Sequence, residues 1–82
     1  MFYITREPNY DQDDWSLIWN ADGYEYVTVT RGETLKDAIY NLYRASDSNP
    51  FDSTPYFIVF EDDKLIGTLE RGGSGPIFKE RK

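Results

Sequence analysis

Only one stretch of this sequence carries the period of a helix, and nearly everything else of substance reads as strand. Leu35, Ala38, Ile39 and Leu42 fall at the i, i+3, i+4, i+7 spacing of a single buried stripe. Thr34 stands where an N-cap belongs, Asp37 three residues on completes the pattern of a capping box, and Gly32 breaks what precedes it. The spacing predicts a helix from Leu35 to about Ala45. Lys36, Asp37, Asn41 and Arg44 lie around its exposed side; of its two tyrosines, one flanks the stripe and the other points outward.

The strands come as one run and two hairpins. Phe2-Tyr3-Ile4-Thr5 is rich in aromatic and β-branched residues and stops before Pro8-Asn9. Trp15 to Asn20 and Tyr24 to Thr30 flank Asp22-Gly23, a pair that tolerates positive φ and is a strong two-residue hairpin signal. That register sets Trp19 opposite Tyr26 and Leu17 opposite Thr28 on one face, with Ile18 opposite Val27 and Ser16 opposite Val29 on the other. Tyr56 to Glu61 and Lys64 to Glu70 form the second hairpin through Asp62-Asp63. Regular pairing there sets Glu61 opposite Lys64, Phe60 opposite Leu65, Val59 opposite Ile66 and Tyr56 opposite Leu69.

The order β-ββ-α-ββ predicts an α+β fold: an antiparallel sheet of four to six strands with one helix packed on one face. Residues 1–71 make the single domain that 82 residues allow. Residues 72–82 hold a Gly-rich linker and a basic tail, within which Ile77-Phe78 can dock as a short extra strand. Both hairpins place apolar groups on both of their faces, and aromatics make up 17% of the chain, so one helix cannot cover the whole sheet. The face away from it is expected to be partly exposed, covered by loops, or covered by another molecule.

The chain has no Cys and no His, which removes disulfides, thiolate nucleophiles, the usual zinc sites and all imidazole chemistry. No N-terminal basic region precedes an apolar run, so the expected setting is cytoplasmic, without a membrane. Asp11, Asp13 and Asp14 are a dense carboxylate group, but they lack the alternating ligands, central Gly and distal Glu of a calcium loop. The bland reading, a solvated acidic loop, is favoured over a metal site. Glu61-Asp62-Asp63 likewise reads as turn chemistry before it reads as half of an acid/base pair. Gly72-Gly73-Ser74-Gly75 lacks the Lys-Ser/Thr and the helix that a phosphate loop requires. The expectation is no enzyme, no metal and no cofactor.

What remains is binding. The formal net charge is −6, and it is segregated: residues 1–30 and 47–63 each carry −5, residues 31–46 carry +1 and residues 64–82 carry +3. Such a surface repels a nucleic-acid backbone and attracts a basic protein. Direct nucleic-acid binding is therefore disfavoured. Trp15, Trp19 and Tyr26 share a face in the predicted register; they are either core under the helix or, if Ile18, Val27 and Val29 face the helix, an anchor for a partner. Tyr40 on the helix carries the same ambiguity, and Asp11, Asp13, Asp14, Glu61, Asp62 and Asp63 are the acidic candidates.

The passage Val29-Thr30-Arg31-Gly32-Glu33-Thr34-Leu35-Lys36-Asp37-Ala38-Ile39 resembles, over that segment alone, the strand-to-helix transition of small antitoxin-type proteins such as the HicB family. The Pro-rich strand pattern expected of that family before the helix is absent. The short acidic habit is similar to that of many phage-encoded inhibitors of host machinery, which implies a protein that blocks a partner's surface. The predicted function is a small acidic protein-binding module, an inhibitor of a nucleic-acid-binding protein by DNA mimicry or surface blocking. The alternative is a homodimeric structural or antitoxin-like subunit that buries its spare sheet face against a copy of itself.

Overall fold

A computed structural model describes residues 1–8, 18–46, 49–52 and 54–81. In chain order its elements are β1 (Phe2–Arg6), β2 (Ile18–Ala21), β3 (Tyr24–Gly32), α1 (Leu35–Ala45), β4 (Tyr56–Glu61), β5 (Lys64–Arg71) and β6 (Pro76–Glu80). The strands form one antiparallel sheet in the order β2-β3-β1-β4-β5-β6, with the helix packed on one face. The expected α+β architecture holds, and the tail contributes a sixth strand.

The helix forms where its caps place it. Thr34 is extended and its side chain accepts the Asp37 N–H at 3.1 Å, so one of the orphan donors of the first turn is satisfied. At the other end the Ser46 hydroxyl donates to the Leu42 carbonyl. Leu35, Ala38, Ile39 and Leu42 all reach the main core, where they meet Ile4, Phe51, Phe57, Val59 and Leu69. Burial of each large aliphatic side chain there contributes about 1.5–3 kcal/mol. Two side-chain bonds fix the helix over β3: the Thr30 hydroxyl donates to the Ala38 carbonyl, and Asn41 Nδ2 donates to the Arg31 carbonyl at 2.8 Å.

The first hairpin has the predicted register, with Ile18 opposite Val27 and Trp19 opposite Tyr26. Its turn residues Asp22 and Gly23 both have positive φ, the conformation a two-residue turn needs to match strand twist. The second hairpin departs from expectation after two pairs. Glu61 faces Lys64 and Phe60 faces Leu65, but Val59 then faces Gly67 and Tyr56 faces Glu70, where Ile66 and Leu69 were expected. Ile66 is the extra residue of a bulge. Leu65 and Leu69 are four apart and would share a face in a regular strand. The bulge re-phases β5 so that Leu65 packs on the face away from the helix while Leu69 is buried beneath it.

A second irregularity does the same for β3. Ile4 pairs with Thr30 but Thr5 pairs with Thr28, which leaves Val29 as the extra residue. Thr30 thereby turns to the helix, and Thr28 turns away from it.

Away from the helix lies a second core of Tyr26, Ile58 and Phe60, packed with Tyr3, Trp19, Ala21 and Leu65. The Trp19 ring stacks on Phe60 with centroids 5.2 Å apart, although β3 and β1 separate their strands. In a flat sheet three strand spacings amount to roughly 14 Å. The sheet is therefore coiled, concave on this side, and the two bulges supply extra twist. Shortage of helical cover pointed to a face partly exposed or covered by loops or another molecule; among the described residues part of the cover is the sheet's own, through the Trp19 side chain of β2 that reaches Phe60 of β4.

At one end the coil brings the sheet's two edges together. Arg81, just past β6, holds Asp22 of the β2–β3 turn with Nη2 2.7 Å from Oδ2.

Candidate functional site

Trp19 and Tyr26 share a face, as the hairpin register required, but that face is neither under the helix nor laid open. Tyr3 lies 4.8 Å from Trp19, Trp19 stacks on Phe60, and Tyr26 tilts against Phe60 at 6.0 Å, all between ring centroids. Trp19 Nε1 donates to Thr28 Oγ1 at 2.6 Å, so the indole's one polar atom is satisfied inside the fold. Thr5, fully buried on the same side, donates to the Ile58 carbonyl at 2.9 Å. These rings are chiefly a second core.

Burial pushes the Tyr26 phenol above its ordinary value, and the nearby Tyr56, Glu7, Asp22 and Tyr24 add in the same direction. An acid whose folded value lies above its unfolded value near 10 is deprotonated first in the unfolded chain. Its effect on stability is therefore flat below that pH and unfavourable above it. Thermal unfolding followed from pH 8 to 11 is expected to show a fall in Tm above about pH 10 that is shallower in Tyr26→Phe. Equal slopes for both proteins would contradict the assignment.

The acidic candidates divide. Asp11, Asp13 and Asp14, together with Trp15, lie outside the described residues. Glu61, Asp62 and Asp63 are exposed at the β4–β5 turn, with Asp62 at φ 54°. Its backbone N–H donates to the Met1 carbonyl at 2.8 Å, and its Oδ1 accepts from the Met1 amino group at 3.1 Å.

Met1 links that turn to Tyr40. A shallow groove of about 370 Å3 runs between the end of β3 and the first turns of α1, lined by Met1, Arg31, Glu33, Asp37 and Tyr40. Tyr40 is 63% exposed and Met1 43%, two of the more open apolar groups described. Arg44 lies over the Tyr40 ring at 5.7 Å from its centroid, within the range of a cation–π contact. Glu33, Asp37, Glu61 and Asp63 make no ion pair among the described residues. Their charge is free to act outward.

The fold therefore gathers Tyr40 and the Glu61–Asp63 turn at one end, and it sets Trp19 and Tyr26 apart on the concave face. Glu33 and Met1, which border the same groove, were not among the sequence candidates. Glu33, Asp37 and Tyr40 follow the spacing of one helix face and were open to a local reading; Met1 has no such signal and arrives because β1 pairs with β3.

Among the described residues no group of three or more His, Cys, Asp or Glu side chains is placed to hold a metal ion. Among them, too, no helix is long and apolar enough to cross a membrane. No family model matches the chain, and no curated protein or solved structure matches it.

Proposed function

We propose that this chain is a small acidic protein-binding module that docks, in a cytoplasmic setting, on the basic surface of a partner protein. The observation that carries the reading is the end of the molecule where Tyr40 and Met1 stand exposed beside Glu33 and Asp37, with Arg31 and Arg44 as the cations there and the acidic Glu61–Asp63 turn joined to Met1 through Asp62. Unpaired carboxylates raise encounter rate and reject acidic partners, while a tyrosine supplies buried area at low entropic cost. A basic surface that ordinarily faces nucleic acid has the complementary chemistry. Covering it would make the protein an inhibitor by surface blocking or DNA mimicry.

The experiment is affinity capture from the native cell on the immobilised chain, repeated with Tyr40→Ala and with Asp37→Asn/Glu61→Gln. A basic partner is expected, displaced by duplex DNA and by rising salt, and bound roughly 30-fold more weakly by Tyr40→Ala if the ring is a hot spot. A partner held equally by all three proteins, or indifferent to salt, would sink the reading.

Self-association is the second reading, and one observation favours it. Tyr56, Glu70 and Ile77 are successive cross-strand neighbours over β4, β5 and β6, and Tyr56 and Ile77 remain 44% and 48% exposed. The net charge of −6 on each copy opposes such pairing. Light scattering that shows a dimer at low salt would favour this reading over the first.

A further inference from the structure

The two outermost strands of the sheet, β2 and β6, have four strands between them in sheet order, yet an ion pair joins their ends. Asp22 sits in the β2–β3 turn at φ 54°, a conformation Asp tolerates better than most side chains. Arg81 is set in place by its own backbone, whose N–H donates to the Ile66 carbonyl at 2.8 Å. The two side chains are 55% and 47% exposed, so water and salt reach them freely. Beneath them runs an open groove of about 540 Å3, floored by Ala21, Leu65 and Ile66, with no further tie across it among the described residues. Ala21 and Leu65 belong to the same cluster as Trp19 and Phe60.

We propose that the Asp22–Arg81 pair is a salt-sensitive clasp between the sheet's edges, which sets how often the β2–β3 hairpin tip lifts and bares the Trp19–Phe60 stack. Magnitudes assign the roles. Ring burial supplies most of the force that keeps the hairpin down, because an exposed ion pair is weak. The clasp instead adjusts a local equilibrium that the rings already favour, so its release changes the open population several-fold without unfolding the protein. The rings that the sequence left as either core or contact face are thus largely packed away, and ionic conditions at the far edge govern their appearance. The inference does not depend on the binding reading above.

The test is native-state hydrogen exchange by NMR on the full chain, read at the Trp19 indole N–H and the β2 amides, with Ile4 and Val59 amides as the reference. Asp22→Asn keeps a residue that tolerates the turn, and Arg81→Gln keeps the backbone bond to Ile66. Each is expected to speed Trp19 indole exchange about two- to five-fold at low salt, and the double variant no more than either single. The reference amides should not change. At about 1 M salt the wild-type rate should rise to meet the variants' rate. No acceleration, additive effects, or equal acceleration at Ile4 and Val59 would each overturn the proposal; the last would show a loss of global stability in place of local opening.

Discussion

Phe60→Ala is expected to destabilise the protein by about 3–5 kcal/mol, the range seen when a buried ring is truncated in a well-packed site. Phe60 is 1% exposed and holds the concave cluster from its centre, with Trp19 stacked at 5.2 Å and Tyr26 tilted at 6.0 Å. Its loss opens a void between strands that are not sheet neighbours, so relaxation cannot close it without uncoiling the sheet. For a domain whose whole stability is of order 5–15 kcal/mol, much of the folded population is at stake. Urea unfolding with both far-UV and near-UV signals measures the change. A loss below about 1 kcal/mol would mean that the concave side is not a core and that the coil is held by something else.

Gly32→Ala is expected to cost about 1–3 kcal/mol through overpacking, although alanine is among the mildest substitutions elsewhere. Gly32 is the last residue of β3, two residues before the Thr34 cap. A Cβ there would run into the Ala38 backbone nitrogen and the Asp37 backbone, which are parts of the helix and not the ends of flexible side chains. Either β3 or the first turn of α1 must shift. Because the Thr30 and Asn41 bonds pin the same junction, the strain should appear as shifted amide resonances in residues 30–38 with the concave cluster unchanged. A neutral Gly32→Ala would show that the helix is free to slide on the sheet. Gly73 offers the control, since nothing lies within 4 Å of a Cβ built there.

Local rules in the sequence foretold the helix almost residue by residue. Thr34, Asp37 and the 35-38-39-42 stripe are each sufficient signals, and no distant contact overrides them. The first hairpin was equally legible because two residues, Asp22 and Gly23, admit one turn geometry, and the turn dictates every pair that follows. Asp62-Asp63 gave the second turn and its first two pairs. It could not announce the bulge at Ile66, whose cause is a competition between two buried faces for Leu65 and Leu69. The same holds for Val29. Coiling was illegible for a related reason: it is the sum of twists over six strands, and no window of the chain contains it. The face away from the helix was expected to be partly exposed or covered by loops or another molecule; Tyr3, Trp19, Ala21 and Leu65 are indeed only partly buried there, while the mutual packing of the rings was not foreseen. Of the candidate site, the shared face of Trp19 and Tyr26 was readable from alternation, but their enclosure by Tyr3 and Phe60 was not. Tyr40 stands exposed on the helix, as its place off the buried stripe allowed; of the residues that share its groove, Arg31, Glu33 and Asp37 are near it in the chain, and only Met1 comes from a distant part of the chain.

The position of β1 in the sheet has a consequence for how the chain acquires its shape. Residues 2–6 pair with β3 on one side and with β4 on the other, so the earliest-made strand is interior and its second partner lies more than fifty residues downstream. Two local hairpins and the helix can form in microseconds, but the step that joins them is a long loop closure. During synthesis the opening strand must wait, half-partnered, until the β4–β5 ribbon has been made. Nucleation around β1 would then set the folding rate, and a mutation in Ile4 would slow assembly as well as weaken the product.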